Sequence, residues 1–161
     1  MKHLTHLAAS AVFALLVAAP AFGAGDAWLT SYDAAVKQAK KTGKPIMADF
    51  TGSDWCTWCM KLHQEVFSKP EFKKWAAKNV ILLEVDFPHQ TPQAKSLVDQ
   101  NMRLERKYHD VLPGFPTVLF MNADGTVFGK YGYDEGGPDR WTHMASRLLP
   151  LQKPAGKQAK M

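Results

Sequence analysis

The only two cysteines of the chain, Cys56 and Cys59, stand two residues apart in the segment GSDWCTWCMKL. Two thiols at this spacing can close a structural disulfide, bind a soft metal ion together with other side chains, or cycle between the thiol and disulfide states. Each of these chemistries needs a different setting, so the surrounding sequence has to distinguish them.

A structural disulfide is the interpretation that the chain supports least. A disulfide stabilises a fold mainly by restricting the unfolded chain, and a loop of four residues contributes roughly 2 kcal/mol, against about 3 kcal/mol for a 15-residue loop. Small secreted domains that depend on disulfides usually carry four or more cysteines at long spacings. A single close pair in a chain of 161 residues therefore favours a chemical role.

A metal site is conceivable because His63 follows Cys59 by four positions, so that Cys56, Cys59 and His63 can share one face of a helix. Thiolate and imidazole ligands suit Cu(I) or Zn(II), which makes a copper or zinc carrier one alternative function. A closed zinc site usually has four ligands, and the chain has no second Cys-x-x-Cys or His-x-His pair. We predict neither a resident metal ion nor another cofactor.

A redox pair agrees best with the predicted position of the cysteines. The sequence predicts a helix that starts at or just before Cys56 and runs to about Phe67. The positive end of the helix dipole and the free N–H groups stabilise a thiolate at Cys56, which is expected to be exposed. Cys59 lies one turn later and faces inward, within reach of the first sulfur.

Helices and strands alternate along the chain. The predicted elements are a helix over 30–42, a strand over 45–50, helices over 56–67 and 68–78, a strand over 80–87, a helix over 92–108, strands over 117–121 and 126–133, and a helix over 137–149. This order predicts an α/β fold in which a mixed β-sheet carries helices on both faces, and a Cys-x-x-Cys pair within such a pattern is typical of redox proteins.

The two ends of the chain differ from its middle. Residues 1–23 combine a basic start, an apolar run and a small-residue cleavage pattern, which predicts a signal peptide and export to the periplasm or beyond. Residues 24–149 are predicted to form one domain, and residues 150–161 a basic, disordered tail. The net charge of +5 comes mostly from the ends, since residues 24–149 carry 16 basic and 15 acidic side chains. This balance argues against nucleic-acid binding.

Two segments resemble the thioredoxin superfamily. MADFTGSDWCTWC is similar to the strand, loop and active-site helix of that family, and GFPT at 114–117 is similar to its cis-proline loop. The Trp-Cys-x-Trp-Cys variant resembles the secreted bacterial thioredoxin-like proteins in particular. The resemblance covers about residues 27–149 and implies a thioredoxin fold with thiol–disulfide oxidoreductase activity.

The resemblance also implies roles for individual residues. Cys56 is expected to be the nucleophile, Cys59 the resolving thiol of the redox-active disulfide, and Asp49 a buried carboxyl group that relays the proton of Cys59. Asp49 stands seven positions before Cys56, one more than in typical thioredoxins. The residues expected to contact a protein substrate are Trp55, Trp58, Phe115, the cis-proline Pro116 and Thr117.

The pair between the cysteines, Thr57-Trp58, contains no histidine that would stabilise the Cys56 thiolate. This favours a reductant over a strong oxidant. The implied partners are protein thiols and disulfides and a redox partner, expected to be membrane-bound, that recharges the site; a monomer is expected. Besides the metal carrier, the alternative is a non-catalytic thioredoxin-fold binding or chaperone module.

Overall fold

The computed structural model describes residues 28–151. The predicted signal peptide and residues 152–161 of the predicted tail lie outside this range. The helices are α1 (Tyr32–Thr42), α2 (Thr57–Leu62), α3 (Pro70–Asn79), α4 (Lys95–Tyr108) and α5 (Gly137–Ser146), with a π-helical segment at His63–Phe67 and 3₁₀ turns at His109–Val111 and Leu149–Leu151. The strands are β1 (Ile46–Thr51), β2 (Ile81–Asp86), β3 (Thr117–Met121) and β4 (Val127–Tyr131).

The four strands form one mixed sheet in the order β2-β1-β3-β4. β1 runs parallel to β2 and antiparallel to β3, and β3 and β4 form an antiparallel hairpin. The parallel pair requires a crossover, which the chain makes through α2, the π-helical segment and α3. The predicted mixed sheet is therefore confirmed.

The central strands are buried on both faces, and alternate residues serve two separate cores. Ile46, Ala48 and Phe50 of β1 belong to the core that includes residues of α1 and α4. Met47, from the same strand, belongs to the second core, which includes residues of the π-helical segment, α3 and α5. Because side chains alternate along a strand, this second face is also the one that Asp49 occupies. Helices on both faces are thus confirmed.

The predicted helices differ from the observed ones at their ends: α1 and α3 each begin two residues later than predicted, and α5 ends at Ser146 rather than near Leu149. The predicted helix 56–67 is divided into α2 and the π-helical segment, and Cys56 lies just before α2 as its N-cap. The helix predicted from Pro92 begins only at Lys95, because residues 88–94 form a loop. At the other end, the turn Leu149–Leu151 extends two residues beyond the predicted domain boundary. Within residues 28–151, no helix is both long and apolar enough to cross a membrane.

Candidate active site

Cys56 and Cys59 form a disulfide at the N-terminus of α2, with their Cα atoms 5.2 Å apart. Cys56 has an extended backbone (φ −86°, ψ 103°), and its Sγ accepts the backbone N–H of Cys59 at 3.2 Å. The sulfur of Cys56 therefore caps the helix in the way that a serine or aspartate oxygen does. An N–H donor and the positive end of the helix dipole both favour a negative charge on this sulfur.

The structure corrects the expectation that Cys56 is exposed. Cys56 is 7% exposed and Cys59 4% exposed, so both count as buried in the disulfide form. The Cys56 sulfur turns towards its own helix, because it is bonded to Cys59 and accepts the N–H of the same residue. In the disulfide form the two cysteines therefore differ little in solvent exposure.

Trp55 forms one wall beside the disulfide and is held by three neighbours. Its Nε1–H donates to the carbonyl oxygen of Phe87 at 2.7 Å. Its indole stacks on the imidazole of His89, with ring centroids 4.5 Å apart, and lies 6.0 Å from the ring of Phe115. Trp55 remains 41% exposed, so a fixed aromatic surface borders the cysteines.

Asp54 holds the loop that carries His89. Its carboxylate accepts the backbone N–H groups of His89, Gln90 and Thr91 at 2.8, 2.8 and 2.9 Å. These hydrogen bonds, the one from His89 foremost, lower the pKa of Asp54 to about 2. These hydrogen bonds connect the segment before the cysteines to the loop after β2.

The predicted cis-proline loop lies next to this wall. The Phe115–Pro116 peptide bond is cis, as expected, and it follows Gly114, whose φ of +153° disfavours other residues. The ring of Phe115 stacks on Phe87 at 5.3 Å. Thr117 is buried, and its hydroxyl donates to the carbonyl oxygen of Gly114 at 2.6 Å, so its side chain braces the loop from inside.

Trp58, which stands between the two cysteines in the sequence, borders an open groove with a volume of about 540 Å³. Trp58 is 53% exposed, and its ring lies 5.3 Å from that of Tyr133. Lys61 covers both rings, with Nζ 5.2 and 5.6 Å from their centroids. The residues that line the groove are Trp58, Phe115, Pro116, Gly132, Tyr133, Asp134 and Glu135. Three of the predicted substrate-contacting residues thus share one groove, whereas Trp55 and Thr117 lie outside its lining.

Behind the disulfide lies a second cavity, of about 440 Å³, which brings Asp49 and Cys59 together. Its lining residues are Asp49, Thr51, Ser53, Cys59, Met60, His63, Gln64 and Glu84. Asp49 is 7% exposed, and its Oδ1 finds no hydrogen-bond partner within residues 28–151. Burial, together with the charges of Glu84 and Asp86, raises the pKa of Asp49 to about 8. A carboxyl group with this pKa can give and take a proton near neutral pH.

The structure adds three residues that the sequence interpretation missed: Glu84, His89 and Tyr133. Glu84 reaches the site because β1 and β2 are parallel and pair it with Asp49. Strand register between distant segments leaves no mark in the sequence. The alternation of β2 does carry a hint, since Glu84 interrupts an otherwise apolar run.

Metal binding receives no geometric support from residues 28–151. No group of three or more His, Cys, Asp or Glu side chains in this range is arranged to hold a metal ion. His63 lines the cavity with Cys59, but Cys56 is not part of that lining.

The comparisons with known proteins agree with this geometry. A family model described as a thioredoxin-like domain matches residues 32–137. The chain belongs to this thioredoxin-like family, and with its Cys-x-x-Cys disulfide it is a thiol–disulfide oxidoreductase.

Among curated proteins, the disulfide bond reductase DsbH of Chlamydia pneumoniae is 34% identical over 122 residues, which cover 76% of this chain and 72% of that protein. The thiol:disulfide interchange protein DsbD of Klebsiella pneumoniae is 39% identical over 93 residues, which cover 58% of this chain but only 13% of DsbD. Of these two proteins, DsbH is matched over most of its length and DsbD over a small part.

Among solved structures, a DsbH oxidoreductase superposes with a TM-score of 0.72 at 34% identity, covering 78% of this chain and 85% of that chain. The oxidised C-terminal domain of DsbD from Neisseria meningitidis superposes with a TM-score of 0.55 at 21% identity, covering 72% of this chain and 90% of that chain. The second similarity concerns the fold alone, and both agree with the predicted thioredoxin fold.

Proposed function

We propose that the protein is a periplasmic reductant of protein disulfides. The Cys56 thiolate attacks a client disulfide and forms a mixed disulfide, and Cys59 then attacks the Cys56 sulfur and releases the reduced client. The observation that carries the proposal is the capping position of Cys56, whose sulfur sits at the N-terminus of α2 and accepts the N–H of Cys59. This environment favours the thiolate, which is the reactive form.

The charges around the pair support a reducing direction. The cavity behind Cys59 contains the carboxyl groups of Asp49 and Glu84, whose negative charge when ionised makes a thiolate at Cys59 less stable, whereas the helix N-terminus favours the thiolate at Cys56. The Lys61 ammonium group lies over the rings of Trp58 and Tyr133, and its Nζ is 3.9 Å from a carboxylate oxygen of Glu65. Its positive charge therefore interacts with groups beside the groove. A less stable thiolate at Cys59 raises the free energy of the dithiol form and so makes it a better electron donor. The similarity to a protein named a disulfide bond reductase points the same way.

The groove beside Trp58 supports a protein substrate. Its open shape and its lining by Trp58, Pro116 and Tyr133 suit an extended client segment that brings its disulfide to Cys56. Trp55 and the backbone of the 115–117 loop complete the proposed contact surface. A reductant in an oxidising compartment needs a source of electrons, so we infer a membrane-bound redox partner that recharges the site. We also propose that the protein acts as a monomer.

The activity is tested by reduction of insulin with dithiothreitol as the electron source. Cys56→Ser is expected to abolish catalysis, and Cys59→Ser to accumulate mixed disulfides that migrate as heavier species on non-reducing gels. Met102→Ser is a matched control, since Met102 is an exposed sulfur-bearing residue on α4. Full insulin reduction by Cys56→Ser would refute the proposed nucleophile.

The direction of electron transfer is tested by measuring the reduction potential of the Cys56–Cys59 pair in glutathione and dithiothreitol buffers. We expect a value near the thioredoxin range of about −270 mV, and a value near about −120 mV would instead indicate an oxidant.

Export is tested by fractionation of cells that carry the full chain. A Cys56→Ala, Cys59→Ala variant that still bound clients with unchanged affinity would favour the binding-module alternative.

A further inference from the structure

Glu84 is the direct cross-strand neighbour of Asp49. β1 and β2 are parallel and pair these two residues in register, so their side chains stand on the same face of the sheet. That face looks towards α2, and both carboxyl groups line the cavity behind Cys59. The structure therefore places two acidic groups, rather than one, beside the resolving cysteine.

The two carboxyl groups differ in their access to solvent. Asp49 is 7% exposed, with its Oδ1 unpartnered among the described residues, whereas Glu84 is half-buried. The cavity that they share is about 440 Å³ and includes the exposed residues Met60 and His63 in its lining. A polar space of this size can hold bridging water. The buried carboxyl group therefore shares one cavity with a less buried carboxyl group and with exposed side chains.

The groups that face Asp49 come from three elements. β2 supplies Glu84 and Asp86, α2 supplies Cys59, and the π-helical segment supplies His63. Asp86 is engaged elsewhere, because its carboxylate accepts the N–H and the hydroxyl of Ser53 at 2.9 and 2.6 Å. Glu84 is therefore the acidic neighbour best placed to exchange a proton with Asp49.

We propose that Glu84 is the second carboxyl group of a proton relay for Cys59, an inference that rests on the thiol–disulfide exchange proposed above. As Cys59 attacks the mixed disulfide, its thiol proton passes to the Asp49 carboxylate. The Cys59 sulfur bonds to the Cys56 sulfur, and the client sulfur leaves as a thiolate with the electron pair of the broken bond. The proton moves on from Asp49 through Glu84 to water, and the client thiolate takes up a proton from solvent.

The electrostatics of the pair suit this task. Two neighbouring carboxyl groups in a buried site resist double ionisation, so they hold one proton in common over a range of pH. Burial, followed by the charges of Glu84 and Asp86, raises the pKa of Asp49 to about 8, and burial, followed by the charge of Asp86, raises the pKa of Glu84. A base whose pKa approaches the ordinary thiol value of about 8.5 exchanges protons with a cysteine at little cost.

The test follows the two sulfur steps separately in the reduced protein. Ellman's reagent releases one coloured thiolate when Cys56 attacks and a second when Cys59 resolves the mixed disulfide. We expect the second-phase rate to rise with pH, because the base form of the pair accepts the proton. In Glu84→Gln this rise should shift to lower pH by about one unit and reach a plateau several-fold lower, since Asp49 becomes a weaker base. The first phase should not change.

Three variants control the measurement. Glu84→Asp keeps the carboxyl group and should restore the wild-type pH profile, whereas Glu105→Gln makes the same change on the exposed face of α4 and should have no effect. His63→Gln tests the other route to solvent. A second-phase profile that is unchanged in Glu84→Gln, or that shifts in His63→Gln instead, overturns the proposal.

A measurement on the wild-type protein guards against a variant that does not fold. The carboxyl ¹³C shifts of Asp49 and Glu84 should each show two coupled titration steps. Independent single steps would overturn the relay even if Glu84→Gln were misfolded. Failure of the proposed function would look different, because the wild-type protein would then release no second coloured thiolate at any pH.

Discussion

The indole of Trp55 lies flat on the imidazole of His89, with ring centroids 4.5 Å apart and an angle of 7° between the planes. Trp55 directly precedes Cys56, and His89 belongs to the loop that follows β2. Because the same loop is bound to Asp54 by three backbone N–H groups, the wall beside the disulfide is a single unit made of two distant segments.

Asp54→Asn should loosen the loop that carries His89. Asparagine keeps the size of the side chain but removes the charge that strengthens the three N–H hydrogen bonds. We expect faster hydrogen exchange of the amides of His89, Gln90 and Thr91, with no change in β1. In the wild-type protein the folded pKa of Asp54 is depressed to about 2, so its stabilising effect is present above pH 4 and is lost as the pH falls from about 4 to 2. Equal exchange rates in the variant and the wild type at pH 6 would contradict this prediction.

Asp49→Asn should change the pH dependence of stability. The folded pKa of Asp49 is raised from an ordinary value of 3.8 to about 8, so the folded state binds more protons than the unfolded state between these values. The free energy of unfolding of the oxidised protein should therefore fall as the pH rises from 4 to 8, by on the order of 4 kcal/mol.

This loss should be absent from Asp49→Asn, which should be the more stable protein at pH 8. Urea unfolding at several pH values measures the difference. Asp110→Asn is the control, because Asp110 is fully exposed. Parallel stability curves for the wild type and Asp49→Asn would show that the buried carboxyl group titrates normally.

Trp58→Ala should weaken the use of protein clients more than the use of small disulfides. Trp58 is 53% exposed and lines the groove with Pro116 and Tyr133, so its ring is available to a client side chain. We expect KM for a protein disulfide to rise by roughly threefold to tenfold, the range for one aromatic contact. The rate with Ellman's reagent should stay the same. Met102→Ala removes a similarly exposed apolar residue from α4 and should leave both values unchanged.

Gly52→Ala should displace the Trp55 indole. A Cβ atom at residue 52 would lie 2.5 Å from the nearest ring atom of Trp55, which is far inside van der Waals contact. We expect the hydrogen bond from Trp55 to Phe87 to break, with a loss of about 1–3 kcal/mol in the free energy of unfolding. A double-mutant cycle checks the cause, since the same substitution should cost much less when Trp55 is already alanine. An equal cost in both backgrounds would place the damage elsewhere.

The sequence predicted the frame of the site because the frame depends on local signals. The apolar runs of β1 and β2, the turn before β4 and the position of Cys56 at a helix start are all visible over a few residues. The cis bond before Pro116 also agrees with the motif that suggested it.

The missing parts depend on contacts between distant segments. The pairing of Asp49 with Glu84 is a matter of strand register, and the stacking of Trp55 on His89 depends on the course of a loop. The burial of Cys56 was not predicted either, since its sulfur is bonded to Cys59 and accepts the N–H of the same residue.

The π-helical turn at His63–Phe67 has a consequence for the tolerance of the chain to length changes. A π-helical turn contains one residue more than an α-helical turn, so it alters the angular phase of every side chain that follows. Here the ring of Phe67 packs in an aromatic cluster. Its centroid lies 5.2 Å from the ring centroid of Trp28, 4.7 Å from that of Phe72 and 5.4 Å from that of Trp141. A one-residue deletion in this turn would restore an α-helix and rotate Phe67 out of the aromatic cluster, while Cys56 and Cys59, which precede the turn, kept their geometry. The extra residue thus sets the rotational alignment between the redox end of the helix and the aromatic core.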